Sequence, residues 1–419
     1  MEKKFLPLIK YTLLLLPVFI ANLYFLKRIF SSRFKNVPYL FSSIVFLVLL
    51  MTDIFLIMFS VKFRLEMLLR ISAYFNMFLI ILELSLISTL PFIFIFGKIF
   101  SFLPKEVGEK ENRNILRAEN DENIFLKDKA HKDLKSSKGI FRRDFIKKTA
   151  FFLPLSSFSI ASFGFYSGLK EPEYRFMDFH FKNLPLNFDN LKIVQISDLH
   201  LSFFLRLDYL EKIIKKLNEI KPDMVLLTGD FVDDYKLLED ALTLVKGIEN
   251  NYGLYAVAGN HEYYRGIEYV KKAFKKQSVP LMFNEIKKIK VKNSLLEIVG
   301  IDDPGKTGFD PSAFLYSALD EALKKADKDS FKILMSHRPN IFPYASQKGI
   351  DLTLSGHTHG GQIAYNGKSI FEFFSENKYW LGDYKINESI LYTTSGAGTW
   401  FPERFNCPAE IPVITLKRR

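Results

Sequence analysis

A single cysteine, Cys407, stands in 419 residues. That excludes an intramolecular disulfide and any zinc site built from several thiolates. Tryptophan is scarcer than histidine, at two against seven. An acidic excess is also missing: 58 Lys and Arg against 46 Asp and Glu leave +12 at pH 7. A basic chain raises the question of nucleic acid, but this charge is unevenly spread. Residues 1–168 hold 24 basic and 13 acidic side chains, whereas residues 169–419 hold 34 and 33. The basicity belongs to the first part, where it fits orientation in a membrane better than binding to a polyanion. No nucleic-acid partner is expected.

What is abundant is phenylalanine, at 43, within 48% apolar residues. Residues 39–60 and 71–96 are apolar runs long enough to cross ~30 Å of hydrocarbon at ~1.5 Å per residue. Weaker candidates are residues 8–26, interrupted by Lys10 and Pro17, and residues 149–168. The expected organisation is a membrane region over 1–97 with about three transmembrane helices, a charged linker over 98–148, a fourth hydrophobic segment over 149–170, and a soluble domain over 171–419. The linker has 14 basic and 9 acidic residues and little apolar periodicity. It is expected to be poorly ordered and cytoplasmic, which places the later domain on the outer side of a multi-pass membrane protein. The linker ends in FRRDFIKKTA, where Arg142, Arg143, Phe145, Ile146 and Lys147 resemble a twin-arginine export signal. The alternative is a stop-transfer span with ordinary basic flanks, and both place the domain outside. Asp53 and Glu83 fall within apolar runs, where they serve either an ion path or a polar contact between helices.

From about residue 175 the pattern becomes that of an α/β domain. Leu191–Ile196, Met224–Leu227, Leu254–Ala258, Leu295–Val299, Phe331–Met335 and Leu352–Leu354 are short branched-apolar runs, expected as strands buried on both faces. Between the first two, Leu210, Ile213, Ile214 and Leu217 fall at i, i+3, i+4 and i+7, so a helix is expected with Asp208 as its cap and Pro222 as its stop. A lysine cluster, Lys271, Lys272, Lys275, Lys276, Lys287, Lys288, Lys290 and Lys292, reads as a solvated face or as a contact for anionic headgroups.

The residues that follow the strands carry the chemistry. The runs lead in order into Ser197-Asp198-Leu199-His200, Thr228-Gly229-Asp230-Phe231-Val232-Asp233, Gly259-Asn260-His261-Glu262, Ser336-His337-Arg338-Pro339 and Ser355-Gly356-His357-Thr358-His359. In an α/β sheet the carboxyl ends of the strands form one rim, where ligands bind. Five of the seven histidines lie there, with carboxylates and an amide. These donors suit a borderline-to-hard divalent ion such as Mn, Fe, Zn or Mg, and their number suits two ions acting on a phosphoester. Gly360 and Gly361 are expected to turn the chain at positive φ beside the site.

This ordered set, DLH, GDFVD, GNHE, SHRP and GHTHGGQ, resembles the calcineurin-like metallophosphoesterase superfamily, and most of all its bacterial membrane-associated branch of YkuE- and YaeI-type phosphoesterases. The tail SGAGTWFPERFNCPAEIPVITL is similar to the end of that branch. The resemblance covers roughly residues 175–419. It implies two facing mixed β-sheets flanked by helices, a four-layer sandwich, with a dinuclear centre at one edge. It also implies that Asp198, His200 and His359 hold one ion and Asn260, His337 and His357 the other, with Asp230 bridging. His261 then stands near the leaving-group oxygen, with Glu262 as its partner.

Three assignments stay open between two roles. Asp233 either orients a ligand or caps the next helix. Arg338 meets either substrate phosphate or a salt-bridge partner, and Phe203 and Phe204 either receive an acyl chain or pack. The expected function is a membrane-anchored, two-metal phosphoesterase acting on a phosphodiester or pyrophosphate, lipid-linked substrates included. The alternatives are a UDP-2,3-diacylglucosamine pyrophosphate hydrolase, whose cytoplasmic substrate disagrees with the inferred topology, and a non-catalytic scaffold of the same fold.

Overall fold

In the computed structural model, residues 156 and 158–419 are described, apart from Phe203, 306–310, 376–377 and Trp400. The readings made for residues 1–155, including the apolar runs, Asp53, Glu83, the linker and the arginine pair, lie outside the described residues. Residues 158–168 are helical. Among the described residues no helix is long and apolar enough to cross a membrane.

Gly164–Arg419 form one compact unit. Its strands are β1 (Glu173–Phe181), β2 (Lys192–Ile196), β3 (Met224–Thr228), β4 (Leu254–Val257), β5 (Leu281–Met282), β6 (Glu285–Val291), β7 (Ser294–Gly300), β8 (Phe331–Met335), β9 (Leu352–Ser355), β10 (Ala364–Tyr365), β11 (Lys368–Ser369), β12 (Gly382–Ile386), β13 (Ser389–Thr393) and β14 (Glu410–Arg418). Two six-stranded sheets result, in the orders β1-β14-β2-β3-β4-β5 and β12-β13-β9-β8-β7-β6. In the first, β2, β3, β4 and β5 run parallel to one edge and the parallel pair β1-β14 joins them antiparallel; in the second, β13, β9, β8 and β7 run parallel between antiparallel edge strands β12 and β6, so both are mixed.

The apolar runs are explained by burial on both faces. Along β3, Met224 and Leu226 face a core shared with Ile298, Phe331, Ile333, Met335, Leu352 and Leu354 of the second sheet. The alternate residues Val225 and Leu227 pack with Leu210, Ile213, Leu217, Ala241 and Phe274 of the helices outside the first sheet. Val299 and Leu334 pack outward against Leu315, Ala318 and Leu319 in the same way. The layers therefore run helix, sheet, sheet, helix. Gln195 crosses between the sheets near the rim, donating from Nε2 to Thr228 Oγ1 at 2.9 Å and to the Ser355 carbonyl at 3.0 Å.

The helix expected between β2 and β3 spans Leu207–Ile220 and buries Leu210, Ile213 and Leu217. Its cap differs from expectation: Arg206 is the extended N-cap, and Asp208 lies inside the first turn. A carboxylate there still suits the positive end of the helix dipole. Four of the eight lysines in the cluster form ion pairs, Lys271 with Glu268, Lys276 with Glu239, Lys287 with Glu285 and Lys288 with Asp327. That is the solvated-face arrangement.

Candidate metal centre

The loops after β2, β3, β4, β8 and β9 converge, and their backbone is unusual. Asp198, His200, Asp230, His357 and His359 all have φ between 46° and 69°. Non-glycine residues rarely enter that left-handed region, and they do so mainly where surroundings hold them for a purpose. Interlocked backbone bonds supply the hold: Asp198 N–H to Gly229 O at 3.0 Å, His200 N–H to Asp230 O at 3.1 Å, and Gly356 N–H to His337 O at 3.0 Å. Gly229, at φ 91°, is required by closeness, since a Cβ there would lie 2.6 Å from His337 Nδ1. Gly360 and Gly361 take φ of 61° and 62°, as expected of the turn beside His359.

Two sets of donors face each other. In the first, His200 Nε2 lies 3.1 Å from His359 Nε2, and His359 Nε2 lies 3.3 Å from Asp198 Oδ1. In the second, His337 Nε2 lies 3.2 Å from both Asn260 Oδ1 and His357 Nδ1. Asp230 Oδ2 stands between them, 3.6 Å from His200 Nε2 and 3.3 Å from His337 Nε2. All these residues are buried except His357, which is partly so. Cys407 takes no part, its thiol facing the His359 carbonyl.

Hydrogen bonds behind the rings orient two of them. His337 Nδ1–H donates to the Thr228 carbonyl at 2.9 Å, and His200 Nδ1–H to Asp233 at 3.2 Å. A carbonyl can only accept, so Nε2 of His337 is the nitrogen left to face the cluster. Burial pushes His337 down, but Asp230 beside it prevails and lifts the ring to about 10. Burial pushes His359 and His357 well below the ordinary value, aided by the neighbouring cations. Burial would raise Asp230, yet the surrounding imidazoles hold it well below the usual carboxylate range. Imidazole, carboxylate and amide donors, with no thiolate, fit divalent cations.

Several of the assigned side chains have partners that bear on their roles. Asp233 accepts from His261 Nδ1–H at 2.6 Å as well as from His200, so it orients two rings; the short helix that follows is capped by Asp234. Glu262 is not the partner of His261. Its buried carboxylate accepts from the backbone N–H groups of Asp230, Phe231 and Gly259 at 2.7 to 2.9 Å, pinning the β3 and β4 loops together. Arg338 pairs with buried Asp303 at 2.8 Å and places Nη1 3.1 Å from His357 Nε2. Phe203 lies outside the described residues. Phe204 packs edge-on against Phe165, with ring centroids 6.3 Å apart. Sequence reasoning gave no part to Arg404, which is fully buried behind His359.

Residues 191–361 match the calcineurin-like phosphoesterase family. YkuE, an uncharacterised metallophosphoesterase of Bacillus subtilis, is 32% identical over 242 residues, covering 56% of this chain and 82% of that protein. The chain belongs to the calcineurin-like phosphoesterase family. An uncharacterised metallophosphoesterase of Campylobacter jejuni is 34% identical over 257 residues, or 60% of this chain. The match spans 65% of that relative's length, just under two thirds. The phosphodiesterase YaeI of Escherichia coli is 26% identical over 284 residues, with 66% of this chain and 99% of YaeI covered.

Proposed function

We propose that the chain is a metal-dependent phosphoester hydrolase with a two-ion centre. The observation that carries this reading is Asp230 Oδ2, a single carboxylate oxygen at the junction of two donor sets, 3.6 Å from one and 3.3 Å from the other. Asp198, His200 and His359 would hold one ion, and Asn260, His337 and His357 the second. When bound, such ions supply charge to offset the phosphoryl oxygens and lower the pKa of an attacking water.

The chain's own residues do the rest. Asp233 accepts from His261 Nδ1–H, turning Nε2 toward the cluster, 4.0 Å from Asp230 Oδ2. His261 has a side chain 20% exposed, so it stands where substrate enters. It is placed to give a proton to the departing oxygen. Glu262 holds the loops that carry Asp230 and Asn260 in register.

The same reading makes the enzyme membrane-anchored, with this domain outside and a phosphodiester or pyrophosphate as substrate. The apolar runs 39–60 and 71–96 and the basic linker support the anchor. An apolar, lipid-linked substrate is supported by the segment after His359. There Phe371 packs over Gly361 and stacks on Trp380, with Phe373 and Phe374 72% and 86% exposed. Exposed aromatics are a natural contact for hydrocarbon.

The test is a hydrolysis panel on the full chain with Mn added: a nitrophenyl monoester, a bis-nitrophenyl diester, an isoprenoid pyrophosphate and UDP-2,3-diacylglucosamine. Turnover of the diester or isoprenoid pyrophosphate that disappears in Asp230→Asn is expected. Turnover surviving that substitution overturns the reading, and preference for the nucleotide lipid moves it to the lipid A reaction.

A further inference from the structure

Histidines that hold metal ions usually donate their second N–H to a carboxylate or carbonyl, which fixes the ring and makes the facing lone pair more basic. His200 and His337 follow this rule. His359 does not: its Nδ1 faces Nη2 of Arg404 at 3.5 Å, and a guanidinium has only donors to offer. His357 is held in the same way, with Arg338 Nη1 behind its Nε2. Each donor set therefore pairs one imidazole backed by an acceptor with one backed by a cation.

Arg404 is the more constrained of the two arginines, with 0% exposure. It comes from the C-terminal segment, beyond the residues matched to the family. Its Nη2 donates to the carbonyls of Ser395 at 2.7 Å and Gly398 at 2.6 Å, and its Nη1 to that of Cys407 at 2.9 Å. Its Nε has no partner among the described residues. The same segment runs directly behind the first donor set. Ala397 N–H donates to Ser197 O at 2.8 Å and Gly398 N–H to Asp198 O at 3.0 Å. A Cβ on Gly396 would lie 2.8 Å from Asp198 Cβ and 3.3 Å from His359 Nδ1.

We propose that Arg404 is a positioning residue for His359: held by three carbonyls, it keeps Nη2 3.5 Å behind Nδ1, sharing with the ring one of the two N–H groups given to Ser395 and Gly398, and so keeps Nε2 aimed at Asp198 and His200. The C-terminal segment thereby becomes part of the first ion site, which rests on the two-ion reading above. The effect is directional. A donor behind the ring draws electron density away, the reverse of what Asp233 does for His200, so His359 contributes geometry more than basicity.

The experiment is a cobalt titration of the full chain after chelation, followed by calorimetry and by visible absorption. The wild type is expected to bind two ions. Arg404→Met is expected to bind one as the wild type does and the other about 10–100-fold more weakly, the loss typical of groups that orient ligands. Arg404→Lys keeps the charge but not the fork, so it should lose the same ion. Two ions bound at wild-type affinity in both variants, with only a lower Tm, overturn the proposal and leave a structural brace. Full binding by Arg404→Lys alone also overturns it, in favour of charge rather than position. Should neither variant fold, the side-chain 1H–15N spectrum of metal-free wild type decides: His359 Nδ1 must appear unprotonated, unlike Nδ1 of His200 and His337, and a protonated His359 Nδ1 overturns it. A wild type that binds no cobalt sinks the two-ion reading itself, a result distinct from the others.

Discussion

The two sheets face each other across one core, yet they bring different chemistry to the rim. The first delivers Asp198, His200, Asp230, Asn260 and His261 from the ends of β2, β3 and β4; the second delivers His337, His357 and His359 from the ends of β8 and β9. Both carboxylates of the two donor sets come from the first sheet, and the second contributes imidazole only. Neither sheet completes a set. The first set needs His359 from across the core, and the second needs Asp230 and Asn260 from the opposite side. A cluster built this way ties the sheets together at their carboxyl ends, as Gln195 does with hydrogen bonds.

Asp230→Asn should have the largest effect, because it removes the one oxygen common to both sets. Turnover is expected to fall by more than the ~10²–10⁴-fold that a proton-transfer group contributes, with bound metal by elemental analysis dropping below two ions. Wild-type metal content in this variant would break the picture of a shared carboxylate. His261→Ala comes next. It is expected to keep both ions and to lose about 10²–10⁴-fold in turnover, less for a nitrophenolate leaving group that needs no proton. Loss of an ion instead would make His261 a ligand and shift the balance further toward the first sheet. Its distance of 4.0 Å from Asp230 Oδ2 makes that a real alternative outcome.

Much of this was legible from local pattern. An apolar run buried on both faces followed at once by a polar donor is visible without any structure, and the five loops it marks are those that converge. The flanking helix was visible from its spacing. What sequence could not show depends on distant pairing. β1 and β14 lie parallel in register from Glu173 with Glu410 to Phe181 with Arg418, more than two hundred residues apart, and no local signal joins them. Arg404 looked like any loop arginine: the carbonyls that hold it lie within nine residues, but its place behind His359, 45 residues away, is set by the fold. Asp233 had two roles open, and only the meeting of the β3 and β4 loops, which brings two imidazoles to its oxygens, selects between them. Glu262 was assigned to His261 by resemblance, and only the meeting of the β3 and β4 loops brings three backbone N–H groups to its carboxylate instead.

If ions tie the sheets, removing them must loosen the domain. Ligands that bind only the folded state stabilise it by about 2.7 kcal/mol at a concentration 100 times Kd, so a chelator should lower the Tm and Mn should restore it in the wild type. In Asp230→Asn the shift should shrink. An unchanged Tm in the wild type would mean that the sheets are held by their apolar core alone.

The smallest effect tests whether the sheets share a device at their other end. Lys192 N–H donates to Asp223 Oδ2 at 2.8 Å, and in the second sheet Lys332 N–H donates to Asp351 Oδ2 at the same distance. The settings differ. Asp223 also accepts from the Asn251 amide at 2.8 Å, whereas burial pushes Asp351 up to about 6 in spite of the Lys332 N–H and charge. A raised carboxyl favours the folded state most where it is protonated, below about pH 4, and that contribution is lost as pH climbs through 6. Asparagine can accept the same Lys332 N–H without the cost of a buried charge. Asp351→Asn should therefore be more stable than wild type by about 1–2 kcal/mol at pH 8, with the advantage gone at pH 4, by denaturant unfolding at both values. Asp223→Asn should gain nothing, because an amide nitrogen would then compete with Asn251 for the position of an acceptor. Equal gains from the two substitutions would show that the sheets use the device identically and that the Asn251 contact has no energetic consequence.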